Sequence, residues 1–443
     1  MPPERYSWGR AMTTAQPTAA VRWRDLPLDL DSGKHFPTWL PHGKGRSYGD
    51  SCLNSEGALL LTPGLDRLIA FDPVGGTLRC EAGVTLSQIL SFIVPRGFFL
   101  PVTPGTQWVT LGGAIANDVH GKNHPTAGTF GRWVTRLELL RSDGSRRECS
   151  PEKENAWFRA TLGGLGLTGL ITWAEIRLIP IASGWMDTET FRFDHFDEFV
   201  SLGSDSPEKY PYQVAWIDCS AKGASLGRGL YSRGSHAEAS LQSTRPCPVP
   251  TYFNFPIEAP AGLINRFTTQ LFNQAYFHRQ HRKNRRARIS YFSFFYPLDV
   301  IHNWNLVYGP RGFFQYQCVV PRLEVARRIL NEVERSNQVC ALAVMKTFGD
   351  LVSPGLLSFP RKGITLAMDF PNHGASTLRS FDRLDAIVRE SEGALYPAKD
   401  ARMSAETFRA SYPDWEAFVP FIDPRFSSDF WRRVTGKSEG TAR

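Results

Sequence analysis

Three glycine-rich loops, with histidine and lysine side chains beside them, carry the chemistry that this sequence could perform. The loops cover residues 42–51, 101–131 and 161–170. Glycines at this density permit positive φ and let consecutive backbone N–H groups point at one anion, which is how a diphosphate is held without side-chain charge. One such loop could simply close a hairpin. Three of them beside apolar, strand-like runs favour a phosphate-bearing cofactor.

Two other motifs match in these loops, but the secondary structure predicted around them is not the one that each motif requires. Residues 45–49 read GRSYG, but the nucleophile elbow of serine hydrolases needs a buried strand before the serine and a helix after it. Residues 164–169 read GLGLTG, but here a helical pattern precedes the glycines and a strand follows, the reverse of a dinucleotide fingerprint. His120 and His124 have the spacing of metal ligands without a third ligand. We therefore expect no serine nucleophile, Rossmann unit or metal site.

Length and composition set the class of protein. The chain has 443 residues, of which 42% are hydrophobic and 21% charged, as in a globular protein of two or three domains. Seven widely spaced cysteines form no C-x-x-C pair, so we expect no disulfide framework and a reducing, cytoplasmic location. No secretory signal is recognisable, and no apolar run approaches the roughly 18 residues that suggest a membrane-spanning helix.

Hydrophobic periodicity divides the chain into three parts. Residues 1–183 contain short apolar strands and two helical patterns, TLSQILSFIVPRG and ENAWFRATLGG. Residues 184–393 contain aromatic-rich strands (QVAWIDC, ISYFSFFYPLD, FFQYQCVVP) and two amphipathic helices (LEVARRILNEVERSN, STLRSFDRLDAIVRE). The tail, 394–443, begins a new helical pattern that could return to the first part. These patterns predict an α+β fold with a second domain made of a sheet covered by helices.

Basic residues are concentrated beside an apolar stripe within 260–288, although the net charge of the whole chain is only +8. The basic residues are Arg279, Arg282, Lys283, Arg285, Arg286 and Arg288. A helix predicted to begin near Pro260 would place on one side Leu263, Ile264, Phe267, Leu271, Phe272 and Tyr276. Such a surface suits peripheral contact with an anionic membrane or lipid substrate. The alternative is a solvated basic loop after a core-packing helix, and no motif supports nucleic-acid binding.

The order of the loop motifs is specific: GKGRSYGD, EAGVTL, PVTPGT, VTLGGAIA, HGKNH and GGLGLTG. This order resembles the FAD-binding domain of the vanillyl-alcohol-oxidase/p-cresol-methylhydroxylase (PCMH) flavoprotein family. The segments YGPRGFFQYQCVVP, MKTFG, MDFP and LYPAKDARMSAETF extend the likeness over nearly the whole chain, to the branch that acts on decaprenylphosphoryl-ribose. The resemblance implies a two-domain PCMH-type fold. Its FAD domain would comprise residues 1–183 and 394–443, and a substrate domain built on an antiparallel sheet, residues 184–393, would be inserted between them.

The implied activity is FAD-dependent oxidation of a secondary hydroxyl to a ketone on a sugar. The sugar would be a polyprenyl-phosphate-linked pentose, oxidised for example at the 2′-OH of decaprenylphosphoryl-ribose. This would be the first half of an epimerisation in cell-wall biosynthesis, which a short-chain reductase partner could complete. Two alternatives stay open: an oxidase of a free sugar, polyol or nucleoside, and a non-catalytic lipid-binding protein. The expected location is cytoplasmic or peripheral on the inner membrane surface.

The resemblance also carries residue roles over by position. Lys399 and His120 would be catalytic. The residues implied to bind FAD are Gly43, Gly45, Arg46, Ser47, Tyr48, Gly49, Gly105, Thr106, Gly112, Gly113, Asn117, His120, Gly121, Gly166, Gly169, Leu170, Tyr396 and Ala398. Those implied to face the substrate are Tyr48, Lys122, Gln315, Gln317, Lys346, Thr365 and Ala367. Arg46 stands where relatives with a covalently tethered flavin have a histidine, so we expect non-covalent FAD.

Three departures from the branch concern the substrate side. Ala367 occupies the position of an active-site cysteine, Thr365 that of an asparagine, and Phe295-Tyr296 that of a Tyr-His pair. These changes leave the expected flavin chemistry intact but put the particular sugar and lipid in question.

The expected chemistry needs a group that accepts the hydroxyl proton of the sugar. A lysine can do so only if burial and neighbouring positive charge lower its pKa, and Lys122 and Lys346 could supply that charge to Lys399. His120 could share the proton transfer or merely contact the flavin. Gln315 and Gln317 alternate along a predicted strand, where they could bind sugar hydroxyls or form an ordinary polar sheet face.

Overall fold

Two antiparallel sheets and one small parallel sheet form the framework of the protein in the computed structural model, which describes residues 4–28, 30, 36–203, 209–238, 247 and 250–436. The helices are Leu86–Ile93, Leu111–Ala116, His124–Ala127, Asn155–Thr161, Glu198–Gly203, Arg266–His278, Tyr291–Phe295, Leu323–Ser336, Ala375–Glu390, Ala405–Ser411, Trp415–Phe418 and Asp429–Thr435. Short 3-10 helices span Asp50–Cys52, Val94–Arg96, Phe130–Trp133, Gly223–Ser225, Trp304–Tyr308 and Val419–Phe421. The α+β class is confirmed. Among the described residues, no helix is long and apolar enough to cross a bilayer.

The first 180 residues build the parallel sheet and a five-stranded antiparallel sheet. The parallel sheet has the order Thr18–Ala20, Ala58–Leu61, Trp39–His42. The antiparallel sheet has the order Arg146–Cys149, Val134–Leu140, Leu170–Arg177, Thr77–Glu81, Leu68–Asp72. Leu86, Ile89, Leu90 and Ile93 recur at three- and four-residue steps, so one side of the first helix is buried beneath this sheet. Thr85 and Gln88 form the capping box that begins that helix.

The second large sheet has eight antiparallel strands. Their order is Asn284–Ser290, Trp185–Phe193, Gly229–His236, Tyr212–Ile217, Leu342–Phe348, Gly363–Pro371, Phe313–Val320, Ala394–Leu395. Two-stranded ladders join Glu4–Tyr6 to Thr13–Ala15, Phe98–Phe99 to Ile179–Pro180, and Phe253–Asn254 to Ile301–His302.

The two faces of the central strands of this sheet differ. Tyr316, Leu366 and Met368 belong to a large apolar core, to which the helices Leu323–Ser336 and Ala375–Glu390 also contribute. Side chains alternate between the faces of a strand. The opposite face therefore presents residues such as Gln315 and Gln317.

Local patterns predicted most of the long elements but misassigned one. The predicted segments contain the helices Leu86–Ile93, Asn155–Thr161 and Leu323–Ser336, and the helix Ala375–Glu390 begins one residue before its segment. The stretch ISYFSFFYPLD was predicted as a strand, but only Ile289 and Ser290 belong to one. The rest of that prediction is wrong, because Tyr291–Phe295 is helical. The Ser290 side chain accepts the backbone N–H of Ser293 and begins this helix, an N-terminal signal that the aromatic run obscured. The boundaries at 183/184 and 393/394 stay predictions.

The tail packs against the first part of the chain through buried ion pairs. Arg433 donates to the Asp50 carboxylate at 2.7 and 2.8 Å and to Asp400 at 2.9 Å. Both carboxylates are buried, and burial is the largest influence that raises the pKa of Asp50. Ser55 likewise donates from its backbone N–H to Asp429 at 2.7 Å. The last helix is thus fixed to the loop that follows Tyr48.

We predict that Arg433→Leu lowers the free energy of unfolding by about 3 kcal/mol, because it leaves two buried carboxylates without their cation. Urea unfolding followed by tryptophan fluorescence measures this. Arg328→Leu is the matched control, since its pair with Glu390 is exposed and such pairs contribute less than about 1 kcal/mol. Equal losses in the two variants would show that the Arg433 network does not hold the tail.

Candidate active site

A cavity lies between the glycine-rich loops and the polar face of the eight-stranded sheet. The residues implied to bind the cofactor that line it are Gly43, Gly45, Arg46, Ser47, Tyr48, Gly105, Thr106, Gly112, Gly113, Asn117, His120, Gly166, Gly169, Leu170, Tyr396 and Ala398. From the sheet and the tail, Gln315, Gln317, Lys346, Ala367 and Lys399 line the same cavity. The structure therefore brings together residues that are more than 350 positions apart in the sequence.

Four residues of the predicted set do not line the cavity. Gly49 packs against the backbone carbonyl of Asp400, and a Cβ on Gly121 would meet the Asn123 side chain, so both are tight packing positions. The Lys122 ammonium donates to the backbone carbonyl of Phe294 instead of facing a substrate. Thr365 is buried behind the cavity wall, and its hydroxyl accepts from Gln317 Nε2 at 3.3 Å.

The loops offer backbone donors that the protein itself does not use. In the part of the chain that the structure describes, the N–H groups of Gly45, Arg46, Ser47, Gly105 and Thr106 donate to no protein acceptor. Backbone donors that go unpaired in a cavity are suited to an anion.

At two positions in the first of these loops the backbone conformation or the close packing requires glycine. Gly45 has a φ of +60°, in the left-handed region that favours glycine. A Cβ on Gly43 would lie 2.5 Å from Thr110 Oγ1. A larger residue at position 45 would strain the backbone, and one at position 43 would collide with Thr110.

Arg46 is held at the cavity wall by an aromatic residue far from it in sequence. Its guanidinium lies 3.9 Å from the centroid of the Trp8 ring, a cation–π contact. The backbone N–H of Trp8 donates to the carbonyl of Ser47 at 2.7 Å, which fixes the two segments together. Arg46 Nε is buried and has no partner among the described residues, so a donor remains for a bound group.

The polar face of the sheet places amide and amine groups around His120. Gln317 Nε2 lies 2.9 Å from His120 Nε2, and Lys346 Nζ lies 3.3 Å from His120 Nδ1. Burial, with the Lys346 charge adding to it, lowers the pKa of His120 well below its ordinary value. Burial also lowers the pKa of Lys346 to about 8. His120 is therefore neutral at physiological pH and able to accept a hydrogen bond.

Lys399 reaches the cavity from a turn that touches both halves of the site. Tyr396 N donates to Gln317 O at 3.0 Å, and Tyr48 N donates to Ala398 O at 2.9 Å, so the turn bridges the sheet and the first loop. Lys399 Nζ lies 3.6 Å from the centroid of the Tyr48 ring.

The position of Lys399 makes its amine available as a base. Burial lowers the pKa of Lys399 to about 7, an effect that Lys346 adds to and Asp369 opposes. Near neutral pH a substantial fraction of this amine is unprotonated, and a lysine in that state can accept a proton.

Asp369 is a site residue that the sequence reasoning missed. It faces Gln315 across the antiparallel register, and Gln315 Nε2 donates to Asp369 Oδ1 at 2.5 Å. Its Oδ2 is buried with no hydrogen-bond partner among the described residues, and burial raises the pKa of this carboxyl to about 7. The signal was present, because Asp369 lies two residues after Ala367 on the same strand face.

Asp299 was also missed, as were the aromatic walls of the cavity. Asp299 lines the cavity, accepts from Gln107 N at 2.8 Å, and has a pKa raised by burial to about 6. Trp8, Trp108 and Trp304 come from separate segments and form part of the lining. Nothing in the local sequence around each tryptophan indicates that they meet.

The fold and the cavity define a flavin-dependent oxidoreductase, and comparison with known proteins supports this class. An FAD-binding-domain family model matches residues 34–150. The chain is 37% identical to decaprenylphosphoryl-β-D-ribose oxidase of Mycolicibacterium smegmatis, over 96% of both chains. The chain belongs to the family of that oxidase, which confirms the resemblance seen in the sequence.

Two further relatives show how far the similarity extends. An uncharacterised protein of Streptomyces coelicolor is 30% identical and aligns over its whole length with 79% of this chain. A putative D-arabinono-1,4-lactone oxidase of Neurospora crassa is also 30% identical, but over only 32% of this chain and 25% of its own.

The cavity fits the FAD that the family uses. The unpaired amides of the first two loops suit the diphosphate, and the glycines keep that side of the cavity free of side chains. The protein is therefore an FAD-dependent oxidoreductase that acts on CH–OH groups, and the prediction of an enzyme with FAD is confirmed. The non-catalytic alternative is set aside.

We predict that Asp369→Asn lowers the pKa of Lys399 further, by about one unit, because the neighbouring carboxylate favours the charged amine. Competitive acetylation of the holoenzyme across a pH series, read by mass spectrometry at Lys399, measures the midpoint. In Asp350→Asn, which changes an exposed carboxylate paired with Lys362, the Lys399 midpoint should not move. A midpoint that rises or stays fixed in Asp369→Asn would contradict the proposed coupling.

Proposed function

We propose that the protein oxidises a secondary hydroxyl of a pentose carried on a polyprenyl phosphate, such as the 2′-OH of decaprenylphosphoryl-ribose. The similarity over the full length of the mycobacterial oxidase supports this substrate class. The observation that carries the proposal is the buried Lys399, placed where the cofactor loops meet the polar sheet face. Alcohol oxidation requires a group that accepts the hydroxyl proton, and a buried amine with a pKa near neutrality can do so.

Each group in the cavity would have a distinct role in the oxidation of the sugar hydroxyl. When bound, FAD supplies the acceptor for the hydride that leaves the sugar carbon. Lys399 Nζ accepts the proton of the hydroxyl as the C=O bond forms. Asp369 raises the pKa of Lys399 against the effect of burial. Gln315 and Gln317 donate to or accept from the sugar hydroxyls.

His120 and Lys346 would position the substrate and not transfer the proton. Burial and the Lys346 charge lower the pKa of His120 well below its ordinary value, so it is a weak base near pH 7. Lys346, whose pKa is about 8, keeps much of its charge there and could bind the substrate phosphate. The small Ala367 side chain widens the cavity at the sheet, opposite Gln317 in the register.

We propose that the cofactor residues implied by the family resemblance bind FAD without a covalent bond. Arg46 supports this, since its guanidinium stands in the first loop where a tethering histidine would be needed and stacks on Trp8.

We also propose the domain division that the resemblance implies. Residues 184–393 would be the substrate domain, and 394–443 would return to the FAD domain. The contacts of Arg433 with Asp50 and of Asp429 with Ser55 support the return of the tail.

A lipid-linked substrate places the protein at a membrane, and its ketone product needs a further enzyme. We propose peripheral association with the inner membrane surface. We further propose that a short-chain reductase reduces the ketone to complete an epimerisation.

The role of Lys399 predicts that Lys399→Ala binds FAD normally but is reduced by substrate at least about 100-fold more slowly, since a positioned base contributes roughly that much or more. Anaerobic stopped-flow bleaching of the visible flavin band by polyprenyl-phosphoryl ribose measures the rate. Lys362→Ala, at an exposed lysine outside the cavity, is the control. Unchanged bleaching in Lys399→Ala would remove Lys399 from the reaction.

Non-covalent binding predicts that acid denaturation releases all of the flavin. After precipitation, the yellow colour should be in the supernatant, and the intact mass should equal that of the polypeptide alone. A protein mass increased by one FAD would contradict the assignment of Arg46.

A further inference from the structure

The helix Arg266–His278 buries polar residues and exposes apolar ones, the reverse of an ordinary surface helix. Its buried residues include the polar Thr269 and Asn273, and Asn273 Nδ2 donates to Asp218 Oδ1 at 2.9 Å. On its other side Phe267 is 74% exposed, Leu271 62% and Phe272 59%. A helix in contact with water would normally expose its polar side. The predicted start near Pro260 is wrong, because the helix is capped by Asn265 and begins at Arg266, which leaves Leu263 and Ile264 before it. The predicted apolar side of the helix faces outward and does not pack in a core.

Exposed large apolar side chains are concentrated in the segment of the chain that contains this helix. Eight of the fourteen large apolar residues that are exposed in the described part of the chain lie between Phe253 and Ile301. We call six of them the apolar rim: Phe253, Ile257, Phe267, Leu271, Phe272 and Ile301. A concentration of exposed apolar side chains in one segment of the chain points to an interaction site.

Part of the apolar rim lies at the cavity. Ile301 and the neighbouring His302 line the cavity and pair with Phe253 and Asn254. The buried residue Phe277 belongs to a cluster with Trp216, against which Leu342 packs, and Leu342 also lines the cavity. The helix therefore stands on the cavity side of the eight-stranded sheet, with its apolar side directed away from the protein.

The charge around the apolar rim is positive. Three of the basic residues, Lys283, Arg286 and Arg288, form ion pairs with Asp194, Glu189 and Asp187. These three charges are therefore neutralised within the protein. Arg279, Arg282 and Arg285 are exposed and have no carboxylate partner among the described residues.

The acidic residues near the rim do not offset this charge. From Thr251 to Ser290 the sequence contains one acidic residue, Glu258, and it pairs with Arg10 at 2.7 Å. Each uncompensated Lys or Arg near an anionic lipid surface contributes about 1 kcal/mol of attraction.

We propose that the apolar rim docks on an anionic membrane and holds the mouth of the cavity against it. The polyprenyl tail of the substrate then stays in the hydrocarbon while its sugar phosphate enters the cavity. This rests on the proposed function, because it assumes a lipid-linked substrate. A second copy of the chain fits this surface less well, since it would bring the unpaired arginines of both copies together.

Vesicle flotation of the full-length holoenzyme tests the docking. The triple variant Phe267→Gln, Leu271→Gln, Phe272→Gln changes only exposed side chains, and retained FAD absorbance and an unchanged Tm verify its fold. We expect it to partition at least about tenfold less onto phosphatidylglycerol-containing vesicles, because it loses most of the apolar area that the helix could bury. The double variant Val74→Gln, Val352→Gln, at exposed apolar sites outside 253–301, should float like the parent. Equal flotation of triple variant and parent would overturn the proposal.

Kinetics separate this proposal from the proposed function. The triple variant should lose kcat/KM for polyprenyl-phosphoryl ribose in vesicles but keep it for a short-chain, water-soluble analogue. If neither protein is reduced by the analogue, the proposed function fails, and flotation alone still decides the docking. If the triple variant floats normally but no longer self-associates in sedimentation, the apolar rim is an interface between copies, and the membrane proposal is overturned.

Discussion

A lysine ammonium that is removed from water is stable only beside an anion, and otherwise it loses its proton. Lys399 is buried, which favours loss of the proton, and it lies near the Asp369 carboxylate, which favours the charged form. Burial and the Lys346 charge lower its pKa, while the Asp369 carboxylate raises it, with a balance near pH 7. Asp369 is itself buried and is held by Gln315. The amine can therefore exchange a proton at physiological pH, and every proposed step of the chemistry depends on this balance.

That balance requires the two halves of the protein to stay in contact. The Lys399 turn is fixed on one side by the backbone of Gln317 and on the other by that of Tyr48. The following residue, Asp400, joins the buried Arg433 network that holds the last helix to Asp50. Displacement of the tail would thus move the reactive amine, which links the stability of the fold directly to the chemistry of the site.

Much of the fold and part of the site could be predicted from the sequence, for physical reasons that differ from residue to residue. Helices such as Leu323–Ser336 were predicted because their apolar residues recur with the helical period and the residues between them are charged. The run around Phe295 is apolar without period, and its helix was missed. The role of the loop glycines could be predicted because it depends only on their own backbone conformation.

The interaction of Asp369 with Lys399 could not be predicted, because it depends on strand register and on the return of the tail, which no local pattern encodes. Whether Lys122 faced the site was likewise a question of packing, since its amine instead meets the Phe294 carbonyl. The helix Arg266–His278 shows the same limit, because the sequence indicated its apolar side but left open whether that side faces outward or packs in a core.

A single anaerobic turnover of the holoenzyme with one equivalent of polyprenyl-phosphoryl ribose tests the proposed oxidation most directly. The sugar is then reduced with borodeuteride and analysed by mass spectrometry. We predict complete bleaching of the flavin and one deuterium on the carbon that carried the oxidised hydroxyl, at the 2′ position. A flavin that stays oxidised with the lipid-linked pentose but bleaches with a free sugar or polyol would contradict the account.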